Sequence, residues 1–239
     1  MPRGPQLRVV SYNVHGLRGP RSALLALLRR LAPDVLVLQE TPRWRWRHHG
    51  AALAHSLGLV VAAGGLPAVG NLILADLRVT VKESWAVRFP LTPGRHLRGA
   101  AFARCLVAGS PVLVVGSHLS TDPAERPRQA RALAAELAAN DADPAVLAVD
   151  VNDEPGSPTW QTLTGSLVDC ASAAGPPGAP GVVGGSGPAP TFPADGPRRR
   201  IDAIFADPRL TVLDHRVVNL PEARRASDHL PVLAELRLS

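Results

Sequence analysis

Eight polar residues, each close to the end of a short apolar run, could together carry out chemistry. They are four carboxylates, two imidazoles and two amides: Asn13, Glu40, His118, Asp150, Asn152, Asp202, Asp228 and His229. Carboxylate and amide oxygens are the hard ligands that Mg²⁺ or Mn²⁺ prefers. An imidazole beside a carboxylate suits proton transfer near neutral pH. The sequence has no cysteine cluster, GxSxG motif, Walker lysine or dinucleotide-binding glycine motif. These residues therefore indicate a metal-compatible site with acid–base groups.

The position of these residues also allows structural interpretations. Asp150 and Asn152 are two positions apart, so both side chains would point the same way from an extended strand end. They could instead form an Asx turn that closes the strand. Glu40 precedes a predicted helix, where the helix dipole favours a surface carboxylate without any catalytic role. Asn13 could shape a turn, and His118 could be a core histidine.

Strands are predicted wherever a short apolar run ends in one of these polar residues. Three such runs lie at residues 7–12, 35–38 and 145–149. The middle of the chain is predicted to form antiparallel strands, because turn residues separate further apolar runs at 71–75, 79–87, 100–107 and 112–117. Many short strands mixed with helices predict an α+β fold with two sheets packed together.

Helices are predicted between the strands from apolar residues at helical spacing. The first has Ser22 as its N-cap, and the second covers residues 42–57. The third is expected to begin near Pro127, after Asp122 and Glu125, which resemble a capping box. Each predicted helix follows a strand that ends in candidate site residues, so the helices would hold those strand ends in place.

Composition limits the class of protein. With 239 residues, 19% charged residues and a mean hydropathy near zero, the chain is not expected to be disordered. It has no apolar stretch of about 18 residues and no signal-peptide h-region, so neither a transmembrane helix nor a signal peptide is expected. Cys105 and Cys170 form no CxxC pair and are expected to be packing residues. This cysteine usage fits a reducing compartment, the cytoplasm.

The basic charge has two possible origins. The net charge of +6 favours a nucleic-acid partner, whereas 25 arginines against one lysine, Lys82, also fit the codon bias of a GC-rich genome. Residues 43–49 alternate basic and aromatic side chains, which suits a phosphate-binding or stacking surface. We favour the other interpretation of this segment, a helix with its tryptophans packed inward. Residues 198–200 are three arginines that could face an anionic substrate or lie in a solvated loop.

Residues 174–198 are rich in glycine and proline, as in a linker. Only about 40 residues follow, too few for a second domain with its own core. We therefore expect one domain over residues 1–239, with this segment as a surface loop, and a monomer.

Seven short motifs resemble the endonuclease/exonuclease/phosphatase superfamily, which includes pancreatic deoxyribonuclease. They occur in family order over residues 7 to 234: SYNVHG (11–16), LQE (38–40), GNLIL (70–74), GSHL (116–119), VDVN (149–152), RIDAIF (200–205) and SDHLPV (227–232). Any one of them is weak, but seven in order are specific. The resemblance implies a four-layer α/β sandwich of two mixed β-sheets packed face to face and flanked by helices.

The resemblance also implies roles for individual residues. The implied catalytic residues are His229, Asp202, Asp150, His118 and Asn152, and the implied metal ligands are Glu40, Asp228 and Asn13. Three further residues are expected to bind substrate: Asn71, His15 and Arg200. In the family, a carboxylate holds the histidine equivalent to His118. The strand after Gly70 has no acidic residue, so we expect the amide carbonyl of Asn71 to hold this ring instead.

The function that this resemblance implies is divalent-metal-dependent hydrolysis of phosphodiesters with Mg²⁺ or Mn²⁺. Nucleic acid, either DNA or RNA, is the leading substrate. An alternative is a phospholipid or a small phosphate ester. A different class, an inactive binding scaffold, would be expected to have lost several of these residues.

Overall fold

The computed structural model describes residues 4–42, 46–174, 185–186 and 188–238. Within these residues the strands, in chain order, are β1 (Gln6–Asn13), β2 (Val35–Gln39), β3 (Val60–Gly65), β4 (Asn71–Ala75), β5 (Val79–Arg88), β6 (Gly99–Val107), β7 (Ser110–His118), β8 (Ala145–Asp150), β9 (Val168–Asp169), β10 (Gly185–Ser186), β11 (Asp202–Ala206), β12 (Thr211–Val217) and β13 (Val232–Arg237). The helices are α1 (Arg21–Leu31), α2 (Trp46–Leu57), α3 (Arg126–Ala138), α4 (Pro158–Thr164), α5 (Cys170–Ala173) and α6 (Pro221–Ala226).

The strands form two mixed sheets. The first has the order β10-β12-β13-β1-β2-β4-β3, and the second has the order β5-β6-β7-β8-β11-β9. The pairs β1–β2 and β7–β8 are parallel, and the other pairs are antiparallel. This confirms the fold implied by the seven motifs, including the antiparallel strands in the middle of the chain.

The sequence of β2 shows why its sheet lies in the interior. Val35 and Val37 alternate with Leu36 and Leu38, and all four are fully buried. The valines join the core between the two sheets, whereas the leucines pack against the leucines of α1. On the outer face of the second sheet, α3 packs in the same way. The layers are therefore helix, sheet, sheet and helix, and both faces of the central strands are buried.

The two sheets approach closely at the centre of the core. A Cβ atom placed on Gly116 of β7 would lie 2.6 Å from Cγ1 of Val37 on β2. The glycine therefore allows contact between two strands whose ends carry candidate site residues.

Two predicted helix caps are absent. Helix α1 begins at Arg21, after Pro20, and has no side-chain cap; Ser22 lies inside its first turn. Helix α3 begins at Arg126, which confirms the start predicted near Pro127, but it has no capping box, because the carboxylate of Glu125 accepts a hydrogen bond from the hydroxyl of Ser120. For the second predicted helix, residues 43–45 and the side chains of 46–48 lie outside the described residues, and the packing of its tryptophans is not described.

The described parts of the Gly/Pro-rich segment include a short strand and buried residues, in addition to exposed loop. β10 pairs with β12, and Thr191 and Ala194 are buried. Residues 175–184 and 187 lie outside the described residues. Within 188–198, Phe192 contacts the ring of His229 and the backbone N–H of Ala194 donates to the carbonyl of Asp228, whereas Asp195 and Arg198 are exposed.

Two other sequence expectations concern membrane spans and cysteines. Within the described residues, no helix has the length and apolar character needed to cross a bilayer. Cys105 and Cys170 are free and buried, and burial raises the pKa of both thiols, to about 11 for Cys105 and about 12 for Cys170. They pack as small apolar residues.

Candidate active site

The candidate site lies at one edge of the two sheets, because the register of the strands places their polar ends side by side. His118 at the end of β7 is opposite Asp150 at the end of β8, and Asp150 is opposite Asp202 at the start of β11. In the other sheet, Asn13 at the end of β1 is opposite Gln39, the last residue of β2, and Glu40 follows directly. The topology thus brings residues far apart in sequence to the same edge.

Asn13 connects the two sheets at this edge. Its buried amide nitrogen lies 2.9 Å from Oδ2 of Asp150, 3.2 Å from Oε1 of Glu40 and 3.5 Å from Nε2 of His229. Its amide oxygen accepts a hydrogen bond from the backbone N–H of His15 at 3.0 Å. One amide therefore fixes the distance between the carboxylates and the histidine.

A buried histidine–carboxylate pair lies at the centre of the site. Nδ1 of His229 is 3.0 Å and 3.2 Å from the two carboxylate oxygens of Asp202, and Nε2 is 3.9 Å from Oδ2 of Asp150. The aromatic ring of Phe192 lies 4.8 Å from the imidazole, centroid to centroid. Because Nδ1 is held by Asp202, Nε2 is the nitrogen directed toward Asp150 and Asn13.

The charges around His229 favour its protonated form. Burial lowers the pKa of the imidazole, but the neighbouring carboxylates, Asp202 first and then Asp150 and Asp228, outweigh burial and raise the pKa to about 10. Burial likewise raises the pKa of the Asp150 carboxyl, and the charge of Asp202 adds to this; the two histidines and the amide of Asn13 oppose it. The site thus holds a cationic imidazole next to a carboxylate that is more basic than usual.

His118 extends the cluster on the other side of Asp150. Its Nε2 lies 3.3 Å from Oδ2 of Asp150 and 2.9 Å from the side-chain amide of Asn152, and its Nδ1 lies 3.3 Å from a guanidinium nitrogen of Arg98. Since a guanidinium only donates hydrogen bonds, Nδ1 of a neutral ring accepts from Arg98. Nε2 faces both a donor, the amide nitrogen of Asn152, and an acceptor, Oδ2 of Asp150. Asn152 has a φ of 55°, in the left-handed region that asparagine tolerates better than most residues.

Asn71 does not hold His118 as expected. Its amide nitrogen donates to the backbone carbonyls of Ala68 at 2.7 Å and Gly99 at 3.0 Å, and its carbonyl oxygen has no hydrogen-bond partner among the described residues. The predicted pairing is therefore wrong, because Asn71 satisfies nearby backbone groups, and Arg98 contacts the ring instead. Sequence analysis missed Arg98, which lies in the loop between β5 and β6 and belongs to no motif.

Arg200 does not face the substrate side. Its guanidinium is buried and makes two hydrogen bonds with Asp169, at 2.9 Å and 2.6 Å, and it lies 5.0 Å from the ring of Trp160. The substrate-binding role predicted for Arg200 is therefore wrong: a guanidinium in a buried, bidentate ion pair holds β9 near β11 and is not available to an anion.

The remaining predicted residues lie on the open side of the site. Glu40 is exposed and has a φ of 56°, unusual for glutamate, so its backbone is held in a strained turn. The Asp228 side chain is 41% exposed, and Nδ1 of His15 lies 3.5 Å from its Oδ1. All the predicted residues except Asn71 and Arg200 thus belong to one connected group at this edge.

Two sets of donors could hold a metal ion. One is buried: Asp150, Asp202 and His229 offer ligand atoms within 4.8 Å of one another. In this set, however, Nδ1 of His229 is bonded to Asp202, and the neighbouring carboxylates raise the pKa of the ring, so a proton competes with a metal ion for its remaining nitrogen. The other set is Glu40 with Asp228, two carboxylates on the open side that supply oxygen donors of the kind that hard cations prefer. Asn13, the third predicted ligand, faces Glu40 with its amide nitrogen, because its amide oxygen accepts a hydrogen bond from the backbone N–H of His15.

Comparison with known proteins agrees with this fold. Residues 10–229 match the profile of the Endonuclease/Exonuclease/phosphatase family, and the chain belongs to this family. Its members are hydrolases that act on phosphoester bonds. A comparison with curated protein sequences gave no significant match.

Solved structures with the same fold include proteins of several activities. An endonuclease/exonuclease/phosphatase from Beutenbergia cavernae is 26% identical, with a TM-score of 0.70, and the match covers 98% of this chain and 72% of that one. The mannosyl-6-phosphatase of Bacteroides thetaiotaomicron is 20% identical, with a TM-score of 0.76 and coverage of 96% and 99%. TDP2 of D. rerio, complexed with single strand DNA product, is 21% identical, with a TM-score of 0.71 and coverage of 97% and 98%.

Proposed function

We propose that this protein hydrolyses phosphodiester bonds in nucleic acid with Mg²⁺ or Mn²⁺. The observation that carries the proposal is the buried pair of His229 and Asp202 next to Asp150, joined through Asn13 to Glu40 in the other sheet. This arrangement supports a proton donor, a base and metal-binding oxygens acting together at one edge. The DNA product bound to TDP2 supports nucleic acid as the substrate class.

The residues have complementary tasks in this reaction. His229 is protonated at neutral pH, and its Nε2–H donates to a non-bridging phosphate oxygen, so charge that builds up there is stabilised. Asp202 keeps that ring charged and oriented. Asp150, whose pKa is raised by burial, orients the attacking water and accepts its proton. Substrate would replace the contact between Nε2 of His118 and the amide nitrogen of Asn152, so that both groups donate to another phosphate oxygen.

The metal ion would be held by Glu40 and Asp228, whose carboxylate oxygens fit it, and Asn13 would hold Glu40 in place through its amide nitrogen. The ion supplies electrostatic stabilisation of the negative charge on the phosphoryl and leaving oxygens. The buried set of Asp150, Asp202 and His229 is left for proton handling, because the imidazolium and the divalent cation would repel each other there.

The test is a screen of the purified protein with Mg²⁺ and with Mn²⁺. Substrates are plasmid DNA, abasic DNA, RNA, phospholipid vesicles and inositol phosphates, each with and without EDTA. The proposal expects metal-dependent cleavage of at least one nucleic acid, with rates that fall steeply as salt rises. Cleavage of phosphomonoesters alone would contradict it.

A specific observation favours phospholipid as the second candidate substrate. Leu66 and Leu91 are 48% and 59% exposed, on loops that follow β3 and β5 at the same edge as the site. The guanidinium Nε of Arg88 donates to the carbonyl of Pro67, so these two loops are in contact. Exposed apolar side chains beside a site can contact a lipid surface. Cleavage of phospholipid without cleavage of nucleic acid would select this alternative over the first, and an inactive scaffold would cleave neither.

We also propose that the chain works as a single-domain monomer in the cytoplasm. The two free, buried cysteines are compatible with a reducing compartment. Size-exclusion chromatography with light scattering tests the monomer, which would elute at about the chain mass of 25.1 kDa.

A further inference from the structure

A pocket beside the candidate active site is lined by three arginines. It has a volume of about 360 Å³ and lies between the turn after β1, the segment 193–195 and the end of α6 with the residues that follow it. The arginines are Arg18, Arg224 and Arg225, and Asp228 of the candidate site lines the same pocket. The pocket thus adjoins the exposed side on which Glu40 and Asp228 lie.

The backbone holds these arginines together. A Cβ atom on Gly19 would lie 2.3 Å from the carbonyl oxygen of Ala226 and 2.7 Å from that of Arg225. Only glycine permits this approach, so the turn after β1 is in direct contact with the end of α6. The backbone of Arg18 consequently lies close to that of Arg225, although about 200 residues separate them in sequence, and the side chains of Arg18, Arg224 and Arg225 are all exposed.

Hydrogen bonds orient two of the side chains and connect the pocket to the site. Nε of Arg224 donates to the amide oxygen of Asn219 at 2.8 Å, and a guanidinium nitrogen of Arg18 lies 3.1 Å from Nε2 of His15. The other ring nitrogen of His15 is 3.5 Å from the carboxylate of Asp228. Arg18, His15 and Asp228 therefore form a continuous polar path from the pocket into the candidate site.

The side chains that line the pocket carry a net positive charge. Among the residues that the structure describes, none of these three arginines forms an ion pair with a carboxylate. Arginines elsewhere in the described residues do form such pairs, for example with Glu235, Asp153 and Asp169. Two carboxylates, Asp195 and Asp228, also line the pocket, so three positive charges face two negative ones. An arginine without a carboxylate partner, at the rim of a pocket, suits bidentate binding of a phosphate group.

We propose that this pocket binds a second phosphate of the substrate, next to the phosphate that is hydrolysed. The substrate would then be a nucleic-acid strand, in which phosphates follow one another along the backbone, and not an isolated phosphate ester. This inference rests on the proposed function, which it makes more specific. The arginines position the strand through its backbone and read no base.

The test compares two pairs of adjacent arginines. In the α6 variant, Arg224 and Arg225 are replaced with alanine. In the matched control, Arg29 and Arg30 are replaced, which are also adjacent and also lie in the last turn of a helix, α1. Arg29 makes one hydrogen bond, to the carbonyl of Ser56, as Arg224 does to Asn219. Both variants lose two charges that could stabilise a helix end through its dipole, so this structural effect is matched.

The readout is the ratio of kcat/KM for a single-stranded oligonucleotide to kcat/KM for bis(4-nitrophenyl) phosphate, which has one phosphate only. We expect this ratio to fall by roughly 10- to 100-fold in the α6 variant, since two hydrogen bonds from exposed arginines, each of ordinary net strength, are lost. The control variant should keep the wild-type ratio. The inference is overturned if the α6 variant also keeps the ratio, or if both variants change it equally.

Binding separates failure of this inference from failure of the proposed function. If the wild-type protein hydrolyses neither substrate, the function is wrong, but the pocket can still be tested by the fluorescence anisotropy of a labelled oligonucleotide. The α6 variant should then bind at least 10-fold more weakly than the control variant, with a smaller dependence of binding on salt. Equal binding by the two variants would overturn the inference whatever the activity.

Discussion

The contact between Asp202 and His229 leads to a quantitative expectation for the Asp202→Asn variant. Both carboxylate oxygens lie within 3.2 Å of Nδ1, and the variant replaces one of them with an NH₂ group of no charge. The rise in the pKa of His229 from 6.5 to about 10 corresponds to about 5 kcal/mol in favour of the protonated ring. Asp202 is the largest contributor to that rise, so most of this preference should disappear with its charge.

The loss of this preference should change both rate and pH dependence. In the wild type, a protonated His229 persists until the pH nears 10, whereas in Asp202→Asn the ring should lose its proton close to the ordinary pKa of 6.5. At pH 8, only about 3% of the rings in this variant would keep their proton, so we expect kcat/KM to fall by about 30-fold. The measurement is kcat/KM from pH 5 to 10, together with an NMR titration of the His229 ring without metal.

The control for this titration is the same carboxylate-to-amide change at Asp228. Its contribution to the pKa of His229 is the smallest of the three carboxylates, so Asp228→Asn should lower that pKa less than Asp202→Asn does. Asp202→Asn combined with His229→Ala should cost no more than His229→Ala alone, because Asp202 acts through the ring. Unchanged titration in Asp202→Asn, or additive losses in the double variant, would refute the reasoning.

The same pair affects stability. Because the pKa of His229 is raised in the folded state, the protonated ring stabilises the fold below pH 6.5, and this contribution is lost as the pH rises through about 10. The free energy of unfolding of the wild type should therefore decline between pH 6.5 and 10, by at most about 5 kcal/mol from this group. Urea denaturation should show a smaller decline in Asp202→Asn, and an equal decline would mean that another group is responsible.

Three further expectations concern other residues. Arg200→Met should lower the free energy of unfolding by about 3–5 kcal/mol in urea denaturation, because Asp169 is left buried without its partner. The kcat/KM of the folded protein should stay near wild type. A selective loss of substrate affinity would instead show that Arg200 binds substrate. Asn71→Ala should cost about 1–3 kcal/mol of stability through two lost backbone contacts and leave the pH profile of kcat/KM unchanged, which a shifted profile would contradict. Glu40→Gln should raise the Mg²⁺ or Mn²⁺ concentration needed for half-maximal rate by at least about tenfold. Because Glu40 is exposed, the melting temperature of this variant should stay close to that of the wild type. EDTA should stop the wild-type reaction without unfolding the protein.

The sequence predicted the strands that end in site residues because those strands are buried on both faces. Such strands appear as continuous apolar runs, as in residues 35–38, and a polar residue marks where each one ends. By contrast, β3 was not predicted, because its glycines weaken the strand pattern, and β12 carries Asp214 and Arg216 within a polar sequence. The family motifs supplied the layer order that local patterns could not.

Long-range pairing explains where the site prediction failed. Nothing in three consecutive arginines indicates that Arg200 turns inward to Asp169, a residue 31 positions earlier. The partners of Asn71 are backbone carbonyls, one of them 28 positions away, and a sequence shows no signal for such contacts. Arg98 lies in a loop without a motif, so its contact with His118 appears only once β6 and β7 are paired.

The central claim is that one site, at the shared edge of the two sheets, hydrolyses phosphodiesters in nucleic acid. Its most direct test is the rate of cleavage of a defined single-stranded DNA oligonucleotide with Mn²⁺, by the wild type and by His229→Ala prepared in the same way. The account predicts cleavage by the wild type, a loss of roughly 10² to 10⁴ in His229→Ala, and retention of fold in both by circular dichroism. Equal cleavage by the two proteins would contradict the account, as would a wild type that cleaves no nucleic acid with either metal.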